Sequence, residues 1–147
     1  MELQNTIKAT GELTIEVRDE NGNVKEVRQA KNLVVSVGKT FIASRVVGTA
    51  STIMSHMAIG ISTQTPAAGD TALISEAGRV ALASGTNSAN AITYTATFPA
   101  GTGTGAITEA AVLNASSAGT MLCRTTFPVV NKAAGDSIAI TWVVTVS

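Results

Sequence analysis

The chain has 147 residues, a single cysteine, and ten basic against ten acidic residues, for a formal net charge of zero. That length suits one domain with a core large enough to fold without staples. The even charge lacks the basic excess of proteins that grip nucleic acid or an anionic membrane surface, and no run approaches the roughly 20 apolar residues of a bilayer span. The polar start, MELQNTIKATGEL, does not have the form of a signal peptide. Cys123 has no second cysteine in the chain to pair with. Charged residues make up 14% and aromatics 3%, while the hydrophobic share is 45%. The surface is therefore expected to be rich in Thr, Ser, Ala and Gly. Such a surface is cheap to desolvate, which suits a chain packed against other subunits.

Residues 1–31 are expected to form an N-terminal arm and a charged β-hairpin, and residues 32–147 a β-sandwich domain. MELQNTIKAT has too little apolar content to fold alone and reads as an arm that orders against a neighbouring subunit. In ELTIEVRDENGNVKEVRQAK, which holds about half of the charged residues, Leu13, Ile15 and Val17 alternate with Thr14, Glu16 and Arg18. A period of two predicts a half-buried strand. Asn21-Gly22 predicts a tight turn, and 24–30 the returning strand.

NLVV at 32–35 predicts a short strand. Ser36 is placed to cap a helix over about 36–47, with Val37, Phe41, Arg45 and Gly48 on one stripe, Ile42 and Val46 beside it, and Gly48 as its stop. This helix is expected to plug one end of a sheet. Beyond it the pattern is strand and turn. Strands are predicted at 55–62, 79–84, 92–98, 106–113, 120–127 and 137–146, with a loop at 63–72 and turns at 85–90 and around NASSAG. Eight or nine short strands at this spacing predict a mainly β protein, an antiparallel sandwich or jelly-roll-like barrel with one short helix.

GTGTG, residues 101–105, invites comparison with a phosphate-binding loop. Such a loop needs a helix behind it, and a P-loop needs Lys followed by Ser or Thr. AITEAAVL follows instead and suits a strand, so GTGTG is expected to be a hairpin loop between neighbouring strands.

No catalytic, cofactor-binding or metal-binding motif emerges. His56 is the only histidine, so neither a triad nor a His-rich metal site has its partners. Cys123, between Leu122 and Arg124 in a strand, reads as a buried structural thiol. Asp70, Glu76, Arg79, Glu109 and Arg124 are isolated charges in neutral surroundings, where charges are normally paired. Glu76 and Arg79 are close enough to pair locally, and Glu109 is placed to meet Arg124 across strands. Asp136, in AAGDS, is expected to bond the turn backbone. Trp142 and Tyr94 alternate into the core, which leaves a carbohydrate-binding module without the aromatic surface it needs.

Three stretches carry a family resemblance: NLVVSVGKTFIASR, MAIGISTQTPAAGDTAL, and AITEAAVLNASSAGTMLCRTTFPVVNKAAGDSIAITWVV. Together, over roughly residues 30–146, they resemble small virion structural proteins of tailed bacteriophages. The resemblance implies a non-enzymatic, β-rich capsid decoration or cement protein. Such a protein is usually a homotrimer and uses no cofactor. It would be made in the bacterial host cytoplasm, bind the major capsid protein across capsomer junctions and sit on the virion surface. A tail, baseplate or fibre-associated module would share these features.

Overall fold

The computed structural model describes residues 7–49 and 52–147. Within them lie nine strands and one helix, in a mainly β, antiparallel fold. They are β1 (Ala9–Arg18), β2 (Val24–Val34), α1 (Ser36–Val46), β3 (His56–Gly60), β4 (Glu76–Ala81), β5 (Ser84–Ser88), β6 (Ala91–Phe98), β7 (Gly105–Leu113), β8 (Met121–Lys132) and β9 (Ser137–Val146). The order across the curled sheet is β4-β3-β7-β8-β2-β1-β9-β6-β5. Most of the expected arm, residues 1–6, lies outside the described residues, while Ala9 and Thr10 open β1.

The sheet folds over on itself at two corners. β2 pairs with β1 along its length but with β8 only at Leu33 and Val34. At the opposite side β4 pairs with β3, and two residues later β5 pairs with β6. Leu82 and Ala83 make the bend, their N–H groups donating to Ser55 and Thr95. Two layers result, β4-β3-β7-β8 and β1-β9-β6-β5, with strands that switch layers at the corners. Between them lies one apolar core: Leu13, Ile15 and Val17 from β1, Met57 and Ile59 from β3, Phe98 from β6, Val112 from β7, and Trp142 from β9, among others. β2 runs without a break through residue 31, so the charged hairpin continues the same sheet.

Several expectations are corrected. NLVV is not a separate strand, because its first three residues complete β2. Residues 84–88 are strand rather than turn, since their backbone pairs with β6; only Ala89 and Asn90 reverse the chain. GTGTG does not join neighbouring strands. β6 already has β9 and β5 as partners, and β7 has β3 and β8. The loop therefore carries the chain from one layer to the other, with Gly101, Gly103 and Gly105 all at positive φ.

Ser36 does not cap α1 either. Val35 stands at the N-cap without a side-chain bond, and the Ser36 N–H donates to Ala68 O at 2.8 Å. A neighbouring backbone thus supplies what a capping side chain would. The stop is as expected. Gly48 has φ +68°, its N–H reaches Arg45 O, and Thr49 N–H reaches Ser44 O, as in a Schellman ending. α1 lies on β8 through Gly38, Phe41 and Ile42, while Val46 and Val47 stay exposed.

Gly38 is what allows this close seat, since a Cβ there would run into the Leu122 carbonyl. Gly38→Ala should therefore lower stability by about 1–3 kcal/mol, the usual effect of overpacking. Gly69→Ala, which enters open space, should be close to neutral. Denaturant unfolding of both variants checks this; equal stability would mean that α1 is not held at Gly38.

Candidate functional site

The most densely bonded polar cluster sits on the outer face of β3, β7 and β8. These strands are apolar on both sides. Ala110 and Val112 face the main core, while Ala58, Ala111, Leu113 and Met121 form a second cluster with Val35 and Leu73. Residues 61–75, which form no strand or helix, cover that second face. An irregular segment laid on an apolar sheet must find partners for its backbone polar groups.

Glu109 and Arg124 supply them. Both are fully buried, and Arg124 Nη2 lies 2.9 Å from Glu109 Oε2, with Nε at 3.1 Å. Arg124 Nη1 donates to Asp70 Oδ2 at 3.0 Å, and Nη2 also donates to Gln64 O at 2.9 Å. Glu109 accepts from the N–H of Ser75 at 2.8 Å, Ile74 at 3.2 Å and Ser62 at 3.4 Å. Asp70 also accepts from Ala67 N–H. Gly60 leaves the room this needs, because a Cβ there would meet the Glu109 carboxylate and the Ser75 carbonyl. The pairing of Glu109 with Arg124 was legible in the sequence; the part played by Asp70 was not.

The remaining candidates fall elsewhere. Arg79 pairs with Glu76 at 2.6 Å and donates to Ala115 O and Ala118 O, tying β4 to the turn after β7. His56 opens β3, with Nδ1 2.8 Å from Ser55 Oγ. Cys123 is buried in the core, and that burial pushes its thiol pKa up. Tyr94 is raised to about 12, chiefly by burial. Trp142 is buried, its indole N–H donating to Asn32 Oδ1 at 2.9 Å. GTGTG packs through Gly103 against Ile59 and Gly78, and strand β7 follows it. Among the described residues, no group of three or more His, Cys, Asp or Glu side chains is arranged to hold a metal ion. Nor, among them, is any helix long and apolar enough to cross a membrane.

A second polar cluster was legible in the sequence only at Asp136. Lys132 is buried, and its Nζ donates to Pro99 O at 2.9 Å and Asp136 O at 2.7 Å, bracing the start of the glycine loop. Desolvation lowers its pKa. The Asp136 carboxylate accepts from Ala133 N–H, as a turn Asp should, and also from Lys25 Nζ at 2.7 Å. The bond from Lys25 leads in lowering its pKa below the usual carboxylate value. NKAAGDS, residues 131–137, carries Lys132 and Asp136, but nothing local in it points to the partner Lys25 on β2.

No family model, characterised protein or solved structure matches this chain.

Two predictions follow from these clusters. Glu109→Gln or Arg124→Met alone should cost about 3–5 kcal/mol, because each leaves a buried charge short of its partner. The double variant should cost less than the sum, as a thermodynamic cycle would measure. For Asp136 the folded pKa lies below the unfolded value of 3.8. Its contribution is thus complete above that pH and is lost as pH falls through the folded value. Lys25→Met should flatten that part of the stability–pH curve, as acid titration of unfolding would show.

Proposed function

We propose that this chain is a structural protein of a tailed-phage virion, a decoration protein that coats the assembled capsid as a homotrimer. One observation supports this reading best: the uncharged outer face of strands β9, β6 and β5, with Thr10 and Thr14 of β1 beside it. The strand registers line up rows across it. Thr14, Thr141, Thr95 and Ser84 form one row; Val143, Thr93 and Thr86 form the next; Thr10 and Thr145 begin a third. At its β1 margin Glu12 stands opposite Lys31 and Glu16 pairs with Arg18, so the nearest charges lie beside charges of the opposite sign. A face of hydroxyls and methyls can be covered by a partner without stranding a charge.

The mechanism is area and mass action. A contact of on the order of 1,000 Å² or more is specific. Binding only the assembled lattice stabilises that lattice. Repetition by symmetry turns modest contacts into tight retention. The phage resemblance over residues 30–146 gives the class of partner, the major capsid protein; the neutral face gives the surface that would meet it.

Co-sedimentation with phage particles stripped of accessory proteins tests the proposal. Saturation in a fixed ratio to the major shell protein is expected. Thr141→Lys, which places a charge in the centre of the neutral face, should weaken binding at least about tenfold with unchanged thermal stability. Retention at a few copies per particle, or on tails but not shells, would move the protein to a tail or fibre role.

A further inference from the structure

We propose that copies of this chain associate head to tail, the β1–β2 turn of one copy seating in the apolar groove beside α1 of the next. This deepens the self-association part of the reading above by naming the two surfaces, and it needs no capsid.

The groove comes first. Ile7, Ala9, Ile42, Val46, Val146 and Lys39 line a depression of about 690 Å³ between α1 and the start of β1. Ile7 is 81% exposed and Val46 83%, the two most exposed large hydrophobics among the described residues. α1 buries only Gly38 completely, although apolar side chains occur all round it. A helix of that kind is normally covered on more than one side.

Charge decides what can cover it. Among the described residues that line the groove, both charged side chains are cations: Lys8 and Lys39. A twofold contact that placed groove on groove would set cations against cations. The occupant must therefore be a different surface, and one that brings carboxylates.

The chain carries that surface at its other end. β1 runs from Ala9 beside the groove to Arg18 at the turn, roughly 30 Å away at strand spacing. Arg18 pairs with Glu16, Arg28 with Glu26, and Lys25 with Asp136. At this end of the strand, among the described residues, Asp19 and Glu20 are left without a cation, on a turn that extends past the Arg18–Ser137 pair at the end of the ladder. Val24, 49% exposed, and Val27, 54% exposed, follow the turn and supply the apolar part. The turn is itself firm: the Asp19 carboxylate accepts from the N–H of Asn21 and of Asn23. A stiff, acidic, convex turn thus faces away from a cationic, apolar, concave groove on the same strand. The two cannot meet within one copy, so only a second copy can bring them together. Such a contact closes into a ring or continues as a filament.

Sedimentation velocity of the full chain without any particles, over rising concentration at low and high salt, tests this. Association weakened by salt is expected. Lys39→Glu and Glu20→Lys should each raise the apparent dissociation constant about tenfold, and the double charge swap should recover most of that loss. Both sites are exposed, and unchanged circular dichroism and melting temperature would show that the fold is kept. A chain that stays monomeric up to about 1 mM, the weak limit of a specific contact, overturns the proposal. So does a double swap that associates no better than the singles. Pelleting of a monomeric chain with phosphatidylglycerol vesicles would also overturn it, assigning the groove to a lipid surface. Capsid binding by a non-associating variant would leave the capsid-binding part of the virion reading intact and remove only its self-association.

Discussion

The buried ion pair between Arg124 and Glu109 holds the whole outer side of the β3-β7-β8 layer in place. That layer is apolar on both faces, so one face would meet water without residues 61–75. The segment has no ladder of its own, and its N–H and C=O groups would be costly if left unpaired on an apolar sheet. Two side chains from adjacent strands receive them: Glu109 takes N–H groups at both ends of the segment, and Arg124 takes Gln64 O and Asp70 from its middle. A buried pair often stabilises less than an apolar replacement of the same shape would. What this one provides is position, since an apolar pair could cover area but could not tell Ser62 from Ser75. The seating of α1 then follows, because Ala68 on the same segment meets the Ser36 N–H where the helix starts.

The same logic recurs where the two layers part. β2 and β8 share a ladder only at Leu33 and Val34. Beyond that, side chains bridge the gap: Arg28 donates to Val129 O, and Thr125 Oγ1 donates to Lys31 O. Further along, Lys25 reaches Asp136, whose own carbonyl is held by Lys132. Within the β4-β3-β7-β8 layer, Arg79 reaches past β3 to two carbonyls of the turn after β7. A chain that is only 14% charged thus spends many of its charges where the backbone ladder stops.

These facts explain which parts of the fold were legible in the sequence. Strands with one wet face declared themselves: ELTIEVR and ITYTATF alternate, and β1 and β6 follow them closely. AITEAAVL does not alternate because residues 107–113 are buried on both sides, and its lone Glu109 was the visible sign of a covered second face. What covers that face was not legible, since TQTPAAGDTA has only the composition of a loop. Strand order was hidden for a related reason. Alternation says which side chains face inward but not which strand stands alongside, so GTGTG looked like a hairpin when it crosses between layers. The cap at Ser36 failed because helix ends accept any suitable partner, and a distant carbonyl replaced the local hydroxyl. Lys132 was missed because its two acceptors are backbone carbonyls, which no side-chain pattern reveals.

Placing several charges at the seams and most of the others on the β1–β2 hairpin shapes what is left for the surface. Glu109 is committed to backbone N–H groups and one guanidinium, and Arg124 to two carboxylates and a carbonyl, so their strong interactions are consumed inside the fold. One broad sheet face is left with hydroxyls and methyls in register. One end of β1 is left apolar and cationic, and the other acidic. A free monomer commonly spreads both signs of charge evenly, which discourages self-contact. Here the face that is cheapest to desolvate lies between two ends of opposite character along the same strand. That arrangement suits a repeating unit, in which neighbours meet through the ends while the neutral face remains open to a third surface. The spacing between such units would then be set by the length of β1, and so by the register of the β1–β9 ladder that fixes it.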